Sequence, residues 1–292
     1  MTTPADSPIS DSALSWARRA LKVTAAAADL VRRHPSGVVV LIYHRVGRRT
    51  STAVDLPTAQ FEEQMAELGE SGRVITLDRA IDLLAVASPV PVDAGDGSGP
   101  PDMPVVVTFD DGTADLADLA TPVLARHAVP ASLYLATDFV DRSVVFRGNG
   151  TPLSWAAIQD MTSTGLWSIE SHTHAHVLLD RAPDSAVAAD LDRSIDLIAE
   201  HTGRVPRHFA YPKALAGTPS AERAVRARFR SAALAGTRVN VFGATDPWHL
   251  ARTPIQVDDG MGWFRRKATG GMRVEDDLRR LLNRFRYRSA QT

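Results

Sequence analysis

Short apolar runs alternate along the chain with longer stretches in which apolar residues recur at helical spacing. The short runs are rich in β-branched and aromatic residues and are bounded by turn-forming residues, which is typical of buried strands. The pattern therefore predicts an α/β fold with about seven strands. The predicted strands are Val38–Tyr43, Val105–Phe109, Ser132–Leu135, Leu166–Ile169, His208–Tyr211, Ser231–Leu234 and Thr253–Val257.

Two of the longer stretches carry the apolar stripe of an amphipathic helix. The stripes consist of Phe61, Met65 and Leu68 in one stretch, and of Val187, Leu191, Ile195 and Ile198 in the other, where Gly203 follows as a stop signal. About seven β-α units without a glycine-rich nucleotide loop favour a barrel over an open nucleotide-binding sheet. In such barrels the chemistry lies at the carboxyl ends of the strands.

Two adjacent carboxylates, Asp110 and Asp111, end the second predicted strand and precede Gly112. Burying a carboxylate costs several kcal/mol or more unless a cation or a hydrogen-bond network compensates it. The pair therefore indicates a cation site, a polar network or a functional carboxyl with a shifted pKa. The alternative is that Asp111 only caps a helix that starts near Ala114.

Three of the nine histidines lie within five residues, in the segment from Glu170 to His176. Residues at positions i and i+4 share one face of a helical turn, so we expect His172 and His176 to converge. Two imidazoles and one carboxylate form a three-ligand site for zinc or a similar ion, with positions open for water and substrate. The alternative is a solvated histidine-rich turn.

Three segments resemble the motifs of the polysaccharide deacetylases, carbohydrate esterase family four. They are Thr108–Gly112, Ser171–His176 and Phe209–Pro212, the last in the variant of the exopolysaccharide deacetylases. Further similar segments are Leu41–Gly47, Phe61–Met65, Leu153–Trp155 and Arg252–Ile255. The resemblance covers roughly residues 37 to 260. It implies a distorted (β/α) barrel with about seven parallel strands.

The resemblance also implies roles for individual residues. Asp110 would be the general base for a water molecule, and Asp111, His172 and His176 would hold one divalent metal ion. The backbone N–H of Lys213 would help to stabilise the oxyanion that forms on the acetyl group. Zinc fits this ligand set best, although cobalt and nickel also suit it.

Two of the chain's departures from the family pattern leave a catalytic role to be assigned to another residue. Ala210 stands where the family has an arginine that restrains the base, so Arg252 is the candidate for that restraint. The late motif that supplies a general acid is not recognisable, which leaves His44 and His249 as candidates. In addition, Tyr211 and Trp248 are predicted to bind the sugar, whereas a core role for tryptophan is the simpler alternative.

Composition sets the class of protein. With 292 residues, 44% hydrophobic and 23% charged, the chain suits one large α/β domain. Its net charge of −1 argues against a nucleic-acid partner, and the absence of cysteine excludes disulfides. Neither a signal peptide nor an apolar run of spanning length is recognisable, which predicts a cytoplasmic location.

Three regions are expected. Residues 1–36 are predicted to form a helical extension, 37–263 the catalytic domain, and 264–292 a basic tail or helix. Within the domain, Ser88–Pro104 is rich in Pro, Gly and Asp and is predicted to be a loop. The tail combines an apolar stripe with a basic face, so it is expected to dock on the barrel or, alternatively, to contact an anionic membrane surface weakly.

The function predicted from these features is metal-dependent removal of acetyl groups from N-acetylated sugars of a polysaccharide, oligosaccharide or glycan precursor. The acetylated glycan is then the partner. One alternative is an esterase for O-acetylated glycans, because the same site can attack an ester. Another is a catalytically silent glycan-binding protein, which the altered third motif favours. A general base beside a metal ion argues against a catalytically silent protein, because glycan binding alone does not require such a base.

Overall fold

The computed structural model describes residues 35–86, 103–146 and 150–273. Seven parallel strands close into a barrel, and the pairing of the last strand with the first completes the ring. The barrel strands, in spatial order, are β1 (Gly37–Tyr43), β4 (Val105–Asp111), β5 (Ala131–Leu135), β6 (Trp167–Ser171), β7 (His208–Ala210), β8 (Ser231–Ala235) and β10 (Leu250–Pro254). Three short strands lie outside the ring, namely β2 (Arg45–Val46), β3 (Asp55–Leu56) and β9 (Asn240–Val241).

The predicted barrel is confirmed, with one strand displaced along the sequence. The last strand is Leu250–Pro254 rather than Thr253–Val257. Proline has no N–H to donate, so Pro254 is a natural end for the ladder, and Val257 lies in a 3₁₀ turn beyond it. The start of this strand is hard to recognise in the sequence because it contains Arg252, a charged residue that is fully buried here.

Eight α-helices are found in the described residues. They are α1 (Thr58–Glu70), α2 (Leu77–Leu84), α3 (Thr121–Arg126), α4 (Thr137–Asp141), α5 (Trp155–Ser163), α6 (Asp184–Thr202), α7 (Pro219–Arg226) and α8 (Gly260–Ala268). The first amphipathic stripe is confirmed, since α1 buries Phe61, Met65 and Leu68. In α6 the stripe residues Val187, Leu191 and Ile198 are buried, whereas Ile195 is half-buried. Helix α6 ends at Gly203 in the left-handed conformation, at φ 70°, as the stop signal predicts.

Alternation along the strands separates two environments. The outward side chains, such as Leu41 and Phe109, join the core beneath the helices. The inward side chains that lie further from the carboxyl ends of the strands are apolar and include Val40 and Val106. Because the period is two residues, the same inward face carries Asp110 at the carboxyl end of β4. The fold therefore directs this carboxylate into the interior of the closed barrel, at the carboxyl ends of its strands.

Helix α8 runs through the boundary expected between residues 263 and 264. Phe264 is fully buried, and the buried Lys267 donates to Asp259 at 2.8 Å. Residues 1–34, most of Ser88–Pro104 and the tail from 274 onwards lie outside the described residues, so the proposed membrane contact and cytoplasmic location stay predictions. In the part of the chain that the structure describes, no helix has the length and apolarity needed to cross a membrane.

A charged cluster at the amino end of the barrel gives a pH-dependent contribution to stability. A hydrogen bond from His208, reinforced by Arg207 and Arg230, lowers the pKa of Asp78 to about 2. An unfolded aspartate titrates at about 3.9. The folded pKa lies below the unfolded one, so the stabilisation is present above about pH 4 and is lost as the pH falls through about 2.

We therefore expect Asp78→Asn to flatten the fall of the thermal midpoint between about pH 4 and about pH 2. Circular dichroism melts across this range measure the slope. The exposed Asp160 on α5 provides a matched control, because Asp160→Asn makes the same chemical change without breaking the cluster. Equal slopes for wild type and Asp78→Asn would contradict the assignment.

Candidate metal centre and catalytic site

The backbone at the end of β4 turns so that both adjacent aspartates serve one place. Asp110 is buried and points into the barrel, as its position on the strand requires. Asp111 still pairs with Leu135 of β5, yet its φ is 74°, in the left-handed region that non-glycine residues rarely adopt. The turn thus begins at Asp111 and continues through Gly112, at φ 102°. Asp111 is a member of the ligand cluster described below, not the cap of a following helix.

The histidine segment converges on the same place by a route that differs from the predicted one. His172 and His176 do not lie on a helical turn, because the chain after β6 is irregular. Thr173 and His176 have φ values of 68° and 52°, and these left-handed residues interrupt any helix. The two imidazole ring centroids are nevertheless 5.0 Å apart. The predicted pairing of the histidines is present, whereas the helical turn is wrong.

Asp111, His172 and His176 form a compact cluster of potential ligand atoms, all within 4.8 Å of one another. Oδ1 of Asp111 lies 3.7 Å from Nε2 of His172 and 3.6 Å from Nε2 of His176. Ligands bound at about 2.1 Å around a tetrahedral ion are roughly 3.4 Å apart, so these two separations suit a zinc-sized ion. The cluster lies at the carboxyl ends of β4 and β6, where the barrel geometry predicts chemistry.

The protonation states of the histidines also suit a cation. Nδ1 of His172 lies 2.8 Å from the carbonyl oxygen of Ala210, which can only accept, so Nδ1 is the donor and the neutral tautomer of this ring presents the lone pair of Nε2 to the cluster. Burial, and then the neighbouring His172, lowers the pKa of His176 to about 4, which leaves it neutral at pH 7. Three acceptor atoms therefore face one another, and a divalent ion such as zinc, cobalt or nickel fits this donor set.

Arg252 holds the neighbouring carboxylate in a fixed orientation. Its Nη1 donates to Oδ1 of Asp110 at 2.5 Å and its Nη2 to Oδ2 at 2.9 Å, and both side chains are buried. Burial alone would raise the pKa of Asp110, but Arg252 and His172 outweigh it and hold this pKa at about 2. Arg252 thus occupies the place of the restraint that the sequence analysis assigned to it, although it comes from β10 rather than from β7.

Tyr134 is a member of this site that the sequence analysis missed. Its ring lies under the guanidinium of Arg252, with the ring centroid 4.8 Å from Cζ, which is a cation–π arrangement. Thr108 adds a contact at 3.4 Å from its Oγ1 to Nη1 of Arg252. The available signal was the two-residue period of β5, which directs Ser132 and Tyr134 to the inside of the barrel.

His44 and Lys213 both lie at this end of the barrel. His44 follows β1, is half-buried, and contributes to lowering the pKa of Asp110, which places it near that carboxylate. Its Nδ1 is buried without a hydrogen-bond partner among the described residues. Lys213 has a φ of 53°, and its charge contributes to lowering the pKa of His176. Its backbone N–H makes no hydrogen bond to the described part of the chain.

Three predicted site residues lie elsewhere. His249 precedes the first residue of β10 and contacts Asp246 at 2.8 Å and Glu222 at 3.3 Å, so it lies at the amino end of the barrel. Trp248 lies in the same turn and donates from Nε1 to the carbonyl of Phe229. Neither the acid role of His249 nor a sugar contact by Trp248 is supported by this placement.

The position predicted for Tyr211 is also corrected. Alternation along β7 turns Ala210 into the barrel and Tyr211 outward, where it is fully buried and packs edge-on against Phe209. A sugar could not reach this ring without rearrangement of the core. Two other tryptophans are also held within the protein: the ring of Trp155 stacks on His201, and the buried Trp167 donates to Thr121.

Comparison with known proteins identifies relatives of the chain. Residues 97–232 match the model of the family described as polysaccharide deacetylase. The chain is 33% identical over 124 residues to the poly-beta-1,6-N-acetyl-D-glucosamine N-deacetylase of Staphylococcus epidermidis, which covers 39% of this chain and 42% of that protein. The protein of the same description from Staphylococcus aureus is 28% identical over 123 residues, with the same coverage. The chain thus spans less than half the length of these curated relatives.

Solved structures share the fold over most of the described barrel. IcaB from Ammonifex degensii matches with a TM-score of 0.66 and 28% identity, over 80% of this chain and 98% of that one. The Streptococcus pyogenes deacetylase PplD, in complex with acetate, matches with a TM-score of 0.66 over 80% and 99%. At 17% identity, the second likeness shows the fold alone. Residues 97–232, which match the polysaccharide deacetylase model, carry both aspartates and both histidines of the site, so over this region the chain is similar to that family.

Proposed function

We propose that the protein is a metal-dependent hydrolase that removes acetyl groups from the N-acetylated sugars of a glycan. The observation that carries this proposal is the placement of Asp110, restrained by Arg252, directly beside the cluster of Asp111 and two histidines. Oδ2 of Asp110 lies 3.9 Å from Nε2 of His172, so a base and a set of ligands share one place. Metal-assisted hydrolysis needs this combination.

When bound by Asp111, His172 and His176, a divalent ion supplies Lewis acidity to the acetyl carbonyl and to the attacking water. Asp110 accepts a proton from that water as its oxygen adds to the acetyl carbon. The N–H of Lys213 donates a hydrogen bond to the developing oxyanion. His44 returns a proton to the nitrogen as the carbon–nitrogen bond breaks, which yields acetate and a free amine.

The substrate class proposed is a polymer or oligomer of N-acetylglucosamine. Support comes from the described activity of the staphylococcal relatives, poly-beta-1,6-N-acetyl-D-glucosamine N-deacetylases, to which the chain is 33% and 28% identical over 124 and 123 residues. Hydrolysis of an O-acetyl ester would use the same residues, and a silent glycan-binding protein would keep the ligand cluster without turnover. A single panel of substrates separates the three possibilities.

In the test, the full chain is stripped of metal with a chelator and reloaded separately with Zn²⁺, Co²⁺ or Ni²⁺. Acetate and free amine are then measured on β-1,6-linked and β-1,4-linked N-acetylglucosamine oligomers and on an O-acetylated xylan. We expect acetate and amine in equal amounts from at least one of the N-acetylated oligomers. Acetate from xylan alone would favour the esterase, and binding of oligomers without any release would favour the silent protein.

The two histidines first considered as the acid give a matched pair of variants. We expect His44→Gln to lower kcat by about 10²- to 10⁴-fold, because protonation of the leaving nitrogen is lost, with little change in KM. His249→Gln should leave both constants near the wild-type values, because His249 lies at the other end of the barrel. Steady-state acetate release measures both. The reverse ranking of the two variants would reject His44 as the acid.

A further inference from the structure

The segment that carries the two histidine ligands adopts an unfavourable backbone conformation. Thr173 and His176 are both in the left-handed region, at φ 68° and 52°. Such conformations persist in non-glycine residues only where surrounding contacts determine them. The segment between the ligands has no regular secondary structure of its own, so its hydrogen bonds must come from other elements.

Helix α6 supplies one set of these bonds through a single side chain. Oδ1 of Asp190 accepts the N–H of His174 at 2.9 Å, and Oδ2 accepts the N–H of Ala175 at 2.8 Å. One carboxylate thus holds two consecutive peptide units midway between the two ligands. Bonds from N–H groups to a charged acceptor are stronger than bonds between neutral groups.

The start of α4 holds the opposite edge of the same segment. The N–H of Asp138 donates to the carbonyl of His174 at 2.9 Å, and Oγ1 of Thr137 lies 2.9 Å from Nδ1 of the His174 ring. His174 therefore points away from the ligand cluster and fastens the segment to α4. With Asp190 on one side and α4 on the other, the peptide between the ligands has few remaining degrees of freedom.

We propose that Asp190 is a positioning residue for the metal centre, which sets the separation of His172 and His176 by holding the peptide between them. The inference rests on the proposed metal site, but not on the substrate. Residues that orient ligands typically change metal affinity by about 10- to 100-fold when they are replaced. Removing the Asp190 carboxylate should therefore weaken binding while leaving the barrel folded.

The test measures Zn²⁺ affinity of the metal-stripped full chain by competition with a chromophoric chelator. We expect Asp190→Ala to weaken Zn²⁺ binding about 10- to 100-fold. Asp190→Asn should have an intermediate effect, because one oxygen still accepts while the amide nitrogen opposes the second N–H. Asp196→Asn on the exposed side of α6 is the control for charge and should stay within about twofold of the wild type.

The outcomes separate this inference from the proposed function. If the wild type binds Zn²⁺ tightly and Asp190→Ala binds it equally, Asp190 does not position the ligands, whereas the proposed function stands. If the wild type binds no Zn²⁺, both fail. If Asp190→Ala does not fold, the Zn²⁺ affinity of Asp190→Asn is compared with that of Asp196→Asn. Equal affinities of these two variants overturn the proposal. Melting of the metal-free variants confirms that each one is folded.

Discussion

Replacing Asp110 by asparagine is expected to lower the rate of acetate release by about 10²- to 10⁴-fold, the usual contribution of a general base. The side chain keeps its shape, so the change removes the proton acceptor and leaves the ligand cluster intact. Asp110 is not one of the three clustered ligands, and Zn²⁺ affinity should therefore change much less than the rate. Acetate release under zinc saturation, together with the Zn²⁺ affinity, measures the two effects separately.

This substitution also takes the charged partner away from Arg252, and a loss of stability could imitate a loss of catalysis. Asp259 offers a matched control, since it is also a buried carboxylate paired with a buried cation, Lys267, at 2.8 Å. Asp259→Asn should destabilise the protein to a similar degree and yet retain most of its activity per folded molecule. If both variants lost activity equally, Asp110 would have no special role as a base.

Replacing Arg252 by methionine is expected to lower the free energy of unfolding by about 3–5 kcal/mol, because it leaves the Asp110 carboxylate buried without its countercharge. The guanidinium makes two hydrogen bonds to this carboxylate and lies over Tyr134, and all of these contacts are lost together. Denaturant unfolding of the metal-free protein measures the change. The metal-free protein is used because a bound ion would supply part of the positive charge that Arg252→Met removes.

The double variant Asp110→Asn with Arg252→Met supplies the decisive comparison. Removing both charges from a buried pair is often nearly neutral, so the double variant should be more stable than Arg252→Met alone. A double-mutant cycle gives the coupling between the two side chains. Strictly additive losses would show that the pair does not compensate the buried charge, and the restraint assigned to Arg252 would then lack an energetic basis.

The barrel was predictable from the sequence because its strands are short apolar runs separated by long amphipathic helices. The positions of Asp110 and the histidine pair were predictable for the same reason, since each follows such a run directly. The start of β10 was not recognisable, because Leu250 and Ala251 precede a charged residue that is normally exposed. Only closure of the barrel brings Arg252 against β4.

Other parts of the site depend on details that the pattern of residues does not contain. The left-handed φ of Asp111 is set by contacts around it, and an aspartate at a strand end does not by itself indicate such a turn. The inward or outward direction of Tyr211 depends on the register of β7, where a shift of one residue exchanges the two faces. Asp190 is one of several aspartates on α6, and only its bonds to the histidine segment distinguish it.

The left-handed residues also bear on the evolutionary history of the chain. Four of the nine non-glycine residues with positive φ in the described residues lie at this site, namely Asp111, Thr173, His176 and Lys213. The left-handed conformation of each of these residues costs of order 1–3 kcal/mol, and a glycine at the same position would avoid most of this cost. Most proteins tolerate only small losses of stability, so mutation and drift would replace such residues unless selection retained their side chains or geometry. The persistence of all four residues is what selection for the geometry of the candidate ligand cluster would produce.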